Sequence, residues 1–429
     1  MDSRPDLDAV AGRALQRLRA AGFEHAQATA SVTRRDELNI AHDEPSLLRS
    51  TTTPRLGLVG IVGARRAATE LTSFDDAALR EACAALAADA AGAPIDEAHA
   101  VSAGEHARIV QGPQRGSLDL LAEKVAELLD FRRREAPAFQ LQEGFAAHRH
   151  VHTRVLTTGG SALEAAVGCY EIEAVGTARD GARASSFNFA GGSVDDPSAA
   201  RAESHFGIAT MMRDALRQTH TQALPARFTG TVVLTPPAVG DLLEWLLEQV
   251  GDQRLLGGSS LYRERVGDAV ASPRLDVRSR FDAPGVAALS ADAFVARPLQ
   301  LLRRGVLATL LPSLYASRRT GLPHVPTAAA GWDVGAGDTP LASLVAGVGR
   351  GALVGRLSMG RPAPNGDFSG LVKNSFLIDG GQVGPALSQV MIAGNVARML
   401  LDVDGVSAER IDYGTLRAPW LRVGGLHFS

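Results

Sequence analysis

Hydrophobic positions along the chain change period several times, and each change marks an element. Over residues 6–21 the apolar side chains Leu7, Val10, Leu15 and Leu18 recur at helical spacing, which predicts an amphipathic helix at the start of the fold. Between residues 26 and 71 the pattern shortens into the pieces QATASVT, DELNIAH and RLGLVGIVG. Several antiparallel strands are expected there, with Gly57, Gly60 and Gly63 as turns or bulges. Ser73 and Asp75 precede AALREACAALAADA and offer oxygens to the orphan N–H groups of a helix start, with Cys83 inside that helix as a small core residue. Leu118, Leu121, Val125, Leu128 and Leu129 predict a further helix over Leu118–Glu135. Strand pattern returns over 151–181, with Gly159-Gly160 as a turn and Asp180-Gly181 as a hairpin tip. A helix over 203–217 follows.

The segment HTQALPARFTG then puts a boundary near residue 223, giving an N-terminal α+β domain over 1–222 and a β-rich domain over 223–429. In the second half, residues 231–235 form an apolar, β-branched strand that Pro236-Pro237 breaks, and 239–250 reads as a helix. Asp379-Gly380-Gly381 marks a hairpin, and LRAPWLRVGGLHF suits a closing strand.

A chain of 429 residues with 45% apolar and 21% charged residues can bury two or three packed units and is excluded from the disordered class. Its 44 basic and 47 acidic residues give a net charge of -3, which supplies no overall attraction to nucleic acid or anionic lipid. Two cysteines, Cys83 and Cys169, cannot build a disulfide framework and point to a reducing compartment. The start MDSRPDLDAV lacks the basic and apolar regions of a signal peptide, and no apolar run is long enough to span a membrane, so a cytoplasmic location is expected.

No HExxH, GxSxG, Walker A or CxxC spacing is present. Gly347-Val348-Gly349-Arg350-Gly351 leads into ALVGRL, a strand pattern, whereas dinucleotide binding needs a helix N-terminus there. His148, His150 and His152 alternate, so a strand would set all three on one face, where they could share a metal. The other reading is a solvated face alternating with Val151 and Val155, since no cysteine or carboxylate nearby completes a ligand set. Glu244 and Glu248 lie four apart on a helix, as paired carboxylates or as a solvated stripe opposite Leu243, Leu246 and Leu247. The densest constellation is residues 351–395, where Asn, Asp, Ser and Lys are packed among glycines, a composition that turns tightly or holds a ligand through backbone groups.

Within that stretch, Asn365-Gly366-Asp367-Phe368-Ser369, the strand 373–378 and Ile392-Ala393-Gly394-Asn395 resemble the TldD/PmbA family. VVLTPPAVGDLLEWLL, GGSSLYRERVGDAV and the region 281–321 extend the resemblance over most of residues 225–400, and the N-terminal organisation resembles the family loosely. The resemblance implies an α+β fold, with an N-terminal α+β domain followed by a largely antiparallel β domain. It also implies paired subunits and cytoplasmic zinc peptidase activity on unfolded peptides.

In the TldD type the helix carries HExxxH and a later cysteine completes the zinc site. Here that slot reads Glu244-Trp245-Leu246-Leu247-Glu248-Gln249, the nearest histidines, His205, His220 and His324, lie off the helix, and no cysteine follows Cys169. The departure implies the TldE (PmbA) type: no catalytic residue and no metal in this chain, with zinc in a TldD-like partner subunit carrying HExxxH. Arg361, Asn365, Asp367 and Ser369 are then expected to serve a peptide channel or partner interface, Arg361 through a bidentate contact to a carboxylate. Alternatively, Asp367 caps its own turn. The expected function is a non-catalytic subunit of a heteromeric zinc metallopeptidase that cleaves unfolded or precursor peptides. The alternatives are a stand-alone homodimeric peptidase with another metal site, and a peptide-binding or gyrase-modulating interaction protein.

Overall fold

The computed structural model describes residues 5–224, 226–388 and 390–429. Among these the strands form two sheets, of eight and fourteen strands. The first helix is Leu7–Ala20, opened by Asp6, whose carboxylate accepts the N–H groups of Asp8 and Ala9. It buries Leu7, Val10, Leu15 and Leu18 against the first sheet, as the spacing predicts.

That sheet runs Arg65–Leu71, Glu44–Val62, His25–Ala41, Phe139–Thr157, Ala162–Asp180 and His106–Gln111, antiparallel except for the last, parallel pair. The strand Asn188–Val194 also pairs with Ala162–Asp180. The pieces QATASVT and DELNIAH are one strand of 17 residues, not two. It continues through the charged stretch 34–37 because both neighbouring strands supply ladder partners there, and Glu37 is held by Arg35 and Arg49. Gly57 and Gly60 lie inside Glu44–Val62, not in turns. A Cβ on Gly60 would stand 2.5 Å from the Phe23 ring, so the absence of a side chain there admits the aromatic.

Asp75 caps the helix Asp76–Gly92, in which Cys83 is buried. The helix Leu118–Glu135 starts where Ser117 accepts the N–H of Leu120. The helix expected over 203–217 is split into a short 3-10 turn, Ala202–Ser204, and the helix Ile208–Arg217. Between them Phe206 and Gly207 have φ of 56° and 73°, a left-handed pair that stops the first turn.

The second sheet centres on the closing strand Leu416–Phe428, flanked by Trp332–Val334 and Phe228–Leu234. Beyond Phe228–Leu234 come Arg350–Val354, Phe376–Asp379 and Gln382–Leu387. The hairpin at 379–381 is present, with Gly380 and Gly381 at φ of 54° and 78°. Pro236 and Pro237 open the helix Pro236–Val250, where the missing N–H of proline has no partner to lose. This helix buries Val239, Leu242, Leu246 and Val250 in the largest core, against Val232, Leu421 and Val423.

Candidate functional site

The six-residue slot of the resemblance lies in the second half of the helix Pro236–Val250. Glu244 is exposed. Trp245 is 2% exposed and meets the Tyr262 ring edge-on, centroids 6.1 Å apart. Gln249 is fully buried: its Oε1 accepts the Leu261 N–H at 3.0 Å, and its Nε2 donates to the Pro364 carbonyl at 3.0 Å. A zinc site needs lone pairs from imidazole, thiolate or carboxylate converging at about 2 Å from one point. Here the indole has none to give, both ends of the Gln249 amide are used, and Glu244 has no third ligand to join it and the neighbouring Asp241 carboxyl. The residues present do not fit a zinc ion. Among the described residues no three His, Cys, Asp or Glu gather as a metal set.

The loop 358–370 closes over the same helix. Arg361 donates to Glu248 Oε1 at 3.1 Å, and Glu248 also faces Arg254 at 3.5 Å. Asn365 Nδ2 donates to Asp367 at 2.7 Å, and the Asp367 N–H returns to Asn365 Oδ1 at 3.1 Å. Asn395 Nδ2 donates both to Asp367 Oδ1 and to the Asn365 carbonyl, at 2.8 Å each, while its Oδ1 caps the helix Val396–Leu401 at the Arg398 N–H. Hydrogen bonds from Asn395 and Asn365 hold the Asp367 carboxyl below its usual range. Gly366 has φ of 92°, and a Cβ there would come within 3.2 Å of Trp245. Arg361, Asn365 and Asp367 therefore come together as fastenings of the loop to its own chain. Ser369 is exposed on the strand Asp367–Lys373, opposite Ala393.

The three histidines do share a strand, Phe139–Thr157, but each ring engages a different group. His148 Nε2 meets the Pro113 carbonyl at 2.8 Å, with its ring against Tyr170. His150 Nε2 meets Gln114 Oε1 at 3.0 Å, and His152 Nε2 meets Glu164 at 3.1 Å. The Cys169 thiol is buried and pushed up to about 11 by that burial, which removes it from thiolate chemistry near neutral pH.

A cleft of about 610 Å³ lies between the two sheets. One wall is the strand Asn188–Val194 with the helix Ile208–Arg217, and the other is formed by Pro236, Leu353, Phe376 and Trp420. The sequence did not signal it: Glu173, Gln218 and Asn374, which line it, are far apart in the chain, and only Asn374 falls in a stretch that the sequence singles out. On the helix Pro236–Val250, burial pushes the Asp241 carboxyl up to about 6, with Glu244 adding to the effect. Its Oδ2 is buried without a partner.

Residues 228–429 match the family model of the PmbA/TldA metallopeptidase C-terminal domain. No curated protein sequence matches the chain. Among solved structures, TldE from Thermococcus kodakarensis superposes with a TM-score of 0.81 at 18% identity, covering 98% of this chain and 100% of its own. A candidate modulator of DNA gyrase from Bacteroides thetaiotaomicron VPI-5482 gives 0.84 at 17% identity, with 98% of both chains covered. A second candidate gyrase modulator, from Thermotoga maritima MSB8, gives 0.79 at 14% identity, covering 98% of this chain and 100% of its own. Likeness at these identities speaks for the fold.

Proposed function

Because the chain belongs to the TldD/PmbA family through residues 228–429, we propose that it is a TldE-like, non-catalytic subunit of a heteromeric zinc metallopeptidase acting on unfolded or precursor peptides. One observation carries this reading. The helix positions that bear HExxxH in the TldD type are here an exposed Glu244, a core Trp245 and a Gln249 whose amide ties two loops together. In this reading the metal, and the base that takes a proton from its water, belong to the partner subunit. This chain contributes the partner surface and a wall of the peptide channel. Among the described residues no helix is long and apolar enough to cross a membrane.

The test compares three preparations on a reduced, unfolded polypeptide: this chain alone, a family subunit carrying HExxxH alone, and the two mixed. Cleavage by the mixture that chelator abolishes, with none from this chain alone and no zinc retained by it, is the expected outcome. Cleavage by this chain alone overturns the proposal, as does zinc bound one per chain.

A further inference from the structure

The cleft between the two sheets combines features that select one kind of ligand. Much of its wall is apolar, with Phe189, Met211, Leu353 and Trp420 exposing rings and aliphatic carbon, while Phe376 behind them is 2% exposed beneath the Arg217 guanidinium. Its charged lining residues are Glu173, Asp214 and Arg356, two carboxylates against one guanidinium. Two of these three are engaged. Arg356 stands over the Phe189 ring, 5.1 Å from its centroid, and Asp214 faces Arg217 at 3.3 Å. Glu173 has no ion-pair or hydrogen-bond partner among the described residues. The nearby Arg35 is taken by Glu37 and Glu171. Burial, then the neighbouring Glu171, push the Glu173 carboxyl up, as expected for a carboxylate lacking its counter-charge.

An independent observation concerns hydrogen bonding. Gln218 is 6% exposed, and its Oε1 is buried with no partner. Asn374 is in the same position: Nδ2 donates to the Phe187 carbonyl at 3.4 Å, while Oδ1 has no partner. Buried polar atoms are normally paired, so each orphan calls for an explanation. Both orphans on this lining are acceptors, and the unpaired charge on the same lining is negative. A lining of that kind complements an alkyl chain ending in a cation with several N–H donors.

We propose that the cleft binds the side chain of a lysine residue of a peptide, its aliphatic stem against Phe189 and Leu353 and its ammonium drawn to Glu173, Gln218 and Asn374. That the occupant is part of a peptide rests on the function proposed above. The preference for a cation rests on the cleft alone.

The test titrates the full chain with three capped tripeptides, acetyl-Ala-Lys-Ala-amide and its norleucine and glutamate counterparts, by calorimetry or ligand-detected NMR. The lysine peptide is expected to bind about tenfold tighter than the norleucine peptide, the scale of one charge-assisted contact, and the glutamate peptide weakest. Glu173→Gln removes the charge and brings the lysine and norleucine peptides together. Phe189→Ser, at a half-exposed ring, weakens both and keeps their ratio. Equal binding of lysine and norleucine peptides by the unaltered chain overturns the proposal and leaves the peptidase-subunit reading standing. Preference for glutamate, or an undiminished lysine preference in Glu173→Gln, also overturns it. Binding of none of the three removes the cleft as a peptide site, and the reconstituted cleavage assay then judges the subunit reading separately.

Discussion

In the proposed reading Gln249 stands where the TldD type carries the second histidine of HExxxH, and its contacts predict what that side chain does here. Replacing it with methionine keeps the length and volume of the side chain but removes two hydrogen bonds of 3.0 Å, one to the Leu261 N–H and one to the Pro364 carbonyl. Each is worth about 0.5–1.5 kcal/mol net, so Gln249→Met is expected to lower stability by about 1–3 kcal/mol. Gln249→Ala loses the same bonds and leaves a void at a site with no exposure, which adds about 2 kcal/mol on the scale of core truncations. Denaturant unfolding followed by tryptophan fluorescence measures both, because Trp245 lies in the same core. Hydrogen exchange then shows whether the loss is local, since the bond to Pro364 fastens the loop 358–370. In the mixed complex, cleavage should fall only in proportion to folded chain. If both variants unfold within about 0.5 kcal/mol of the unaltered chain, the amide is not a clamp and the structural account of this slot is wrong.

Asp241→Asn should stabilise the chain by about 1–3 kcal/mol at pH 7–8, because a carboxyl raised to about 6 must ionise at a cost in the folded state; the gain should shrink as pH falls from about 6 to 4 and vanish below, which pH-dependent unfolding measures. Asp333 is 2% exposed and held by Arg278, Arg410 and Arg417, so Asp333→Asn should destabilise by about 3–5 kcal/mol at neutral pH, read from thermal melts. Burial alone would raise the Asp333 carboxyl, but hydrogen bonds from Arg417 and Arg278 outweigh it and hold it low. Its contribution is therefore full above about pH 4 and lost as pH falls through the lowered folded value. Gly366→Ala should cost about 1–3 kcal/mol, from a φ of 92° and a Cβ 3.0 Å from Asn395 Oδ1, measured in the same melts.

Elements carried by local pattern were legible in the sequence. The helix Leu118–Glu135 announces itself through a leucine stripe, and the closing strand Leu416–Phe428 through its apolar run after a turn. What failed depended on partners distant in the chain. Only Arg34 and Arg35 separate the pieces QATASVT and DELNIAH, yet the strand continues across them because Glu171 arrives from a neighbouring strand to pair with Arg35, and Arg49 from another to pair with Glu37. The helix expected over 203–217 was interrupted by a left-handed pair at 206–207 that apolar spacing does not report. The site divides the same way. The residue types in the slot 244–249 are read directly from the sequence, whereas the clamp formed by Gln249 needs Leu261 and Pro364, and the cleft needs side chains from both sheets.

These observations bear on whether the slot is an eroded metal site or a repacked one, and the difference can be measured. An eroded site keeps the space of its ligands, so Glu244→His, Trp245→Glu and Gln249→His made together would refill it and leave the fold intact. The packing argues otherwise. Trp245 is 2% exposed against Tyr262 and Gly366, so a glutamate there exchanges a large buried ring for a smaller, buried carboxylate, which costs several kcal/mol. The Gln249→His change would also give up the two bonds that the Gln249 amide makes. The triple variant is therefore expected to unfold or melt far below the unaltered chain and to hold no zinc, while Glu244→His alone, on the exposed face, should melt normally. A triple variant that folds at the original melting temperature and binds one zinc per chain would show that the metal site is vacant by ligand loss only, and the repacking account would have to be abandoned.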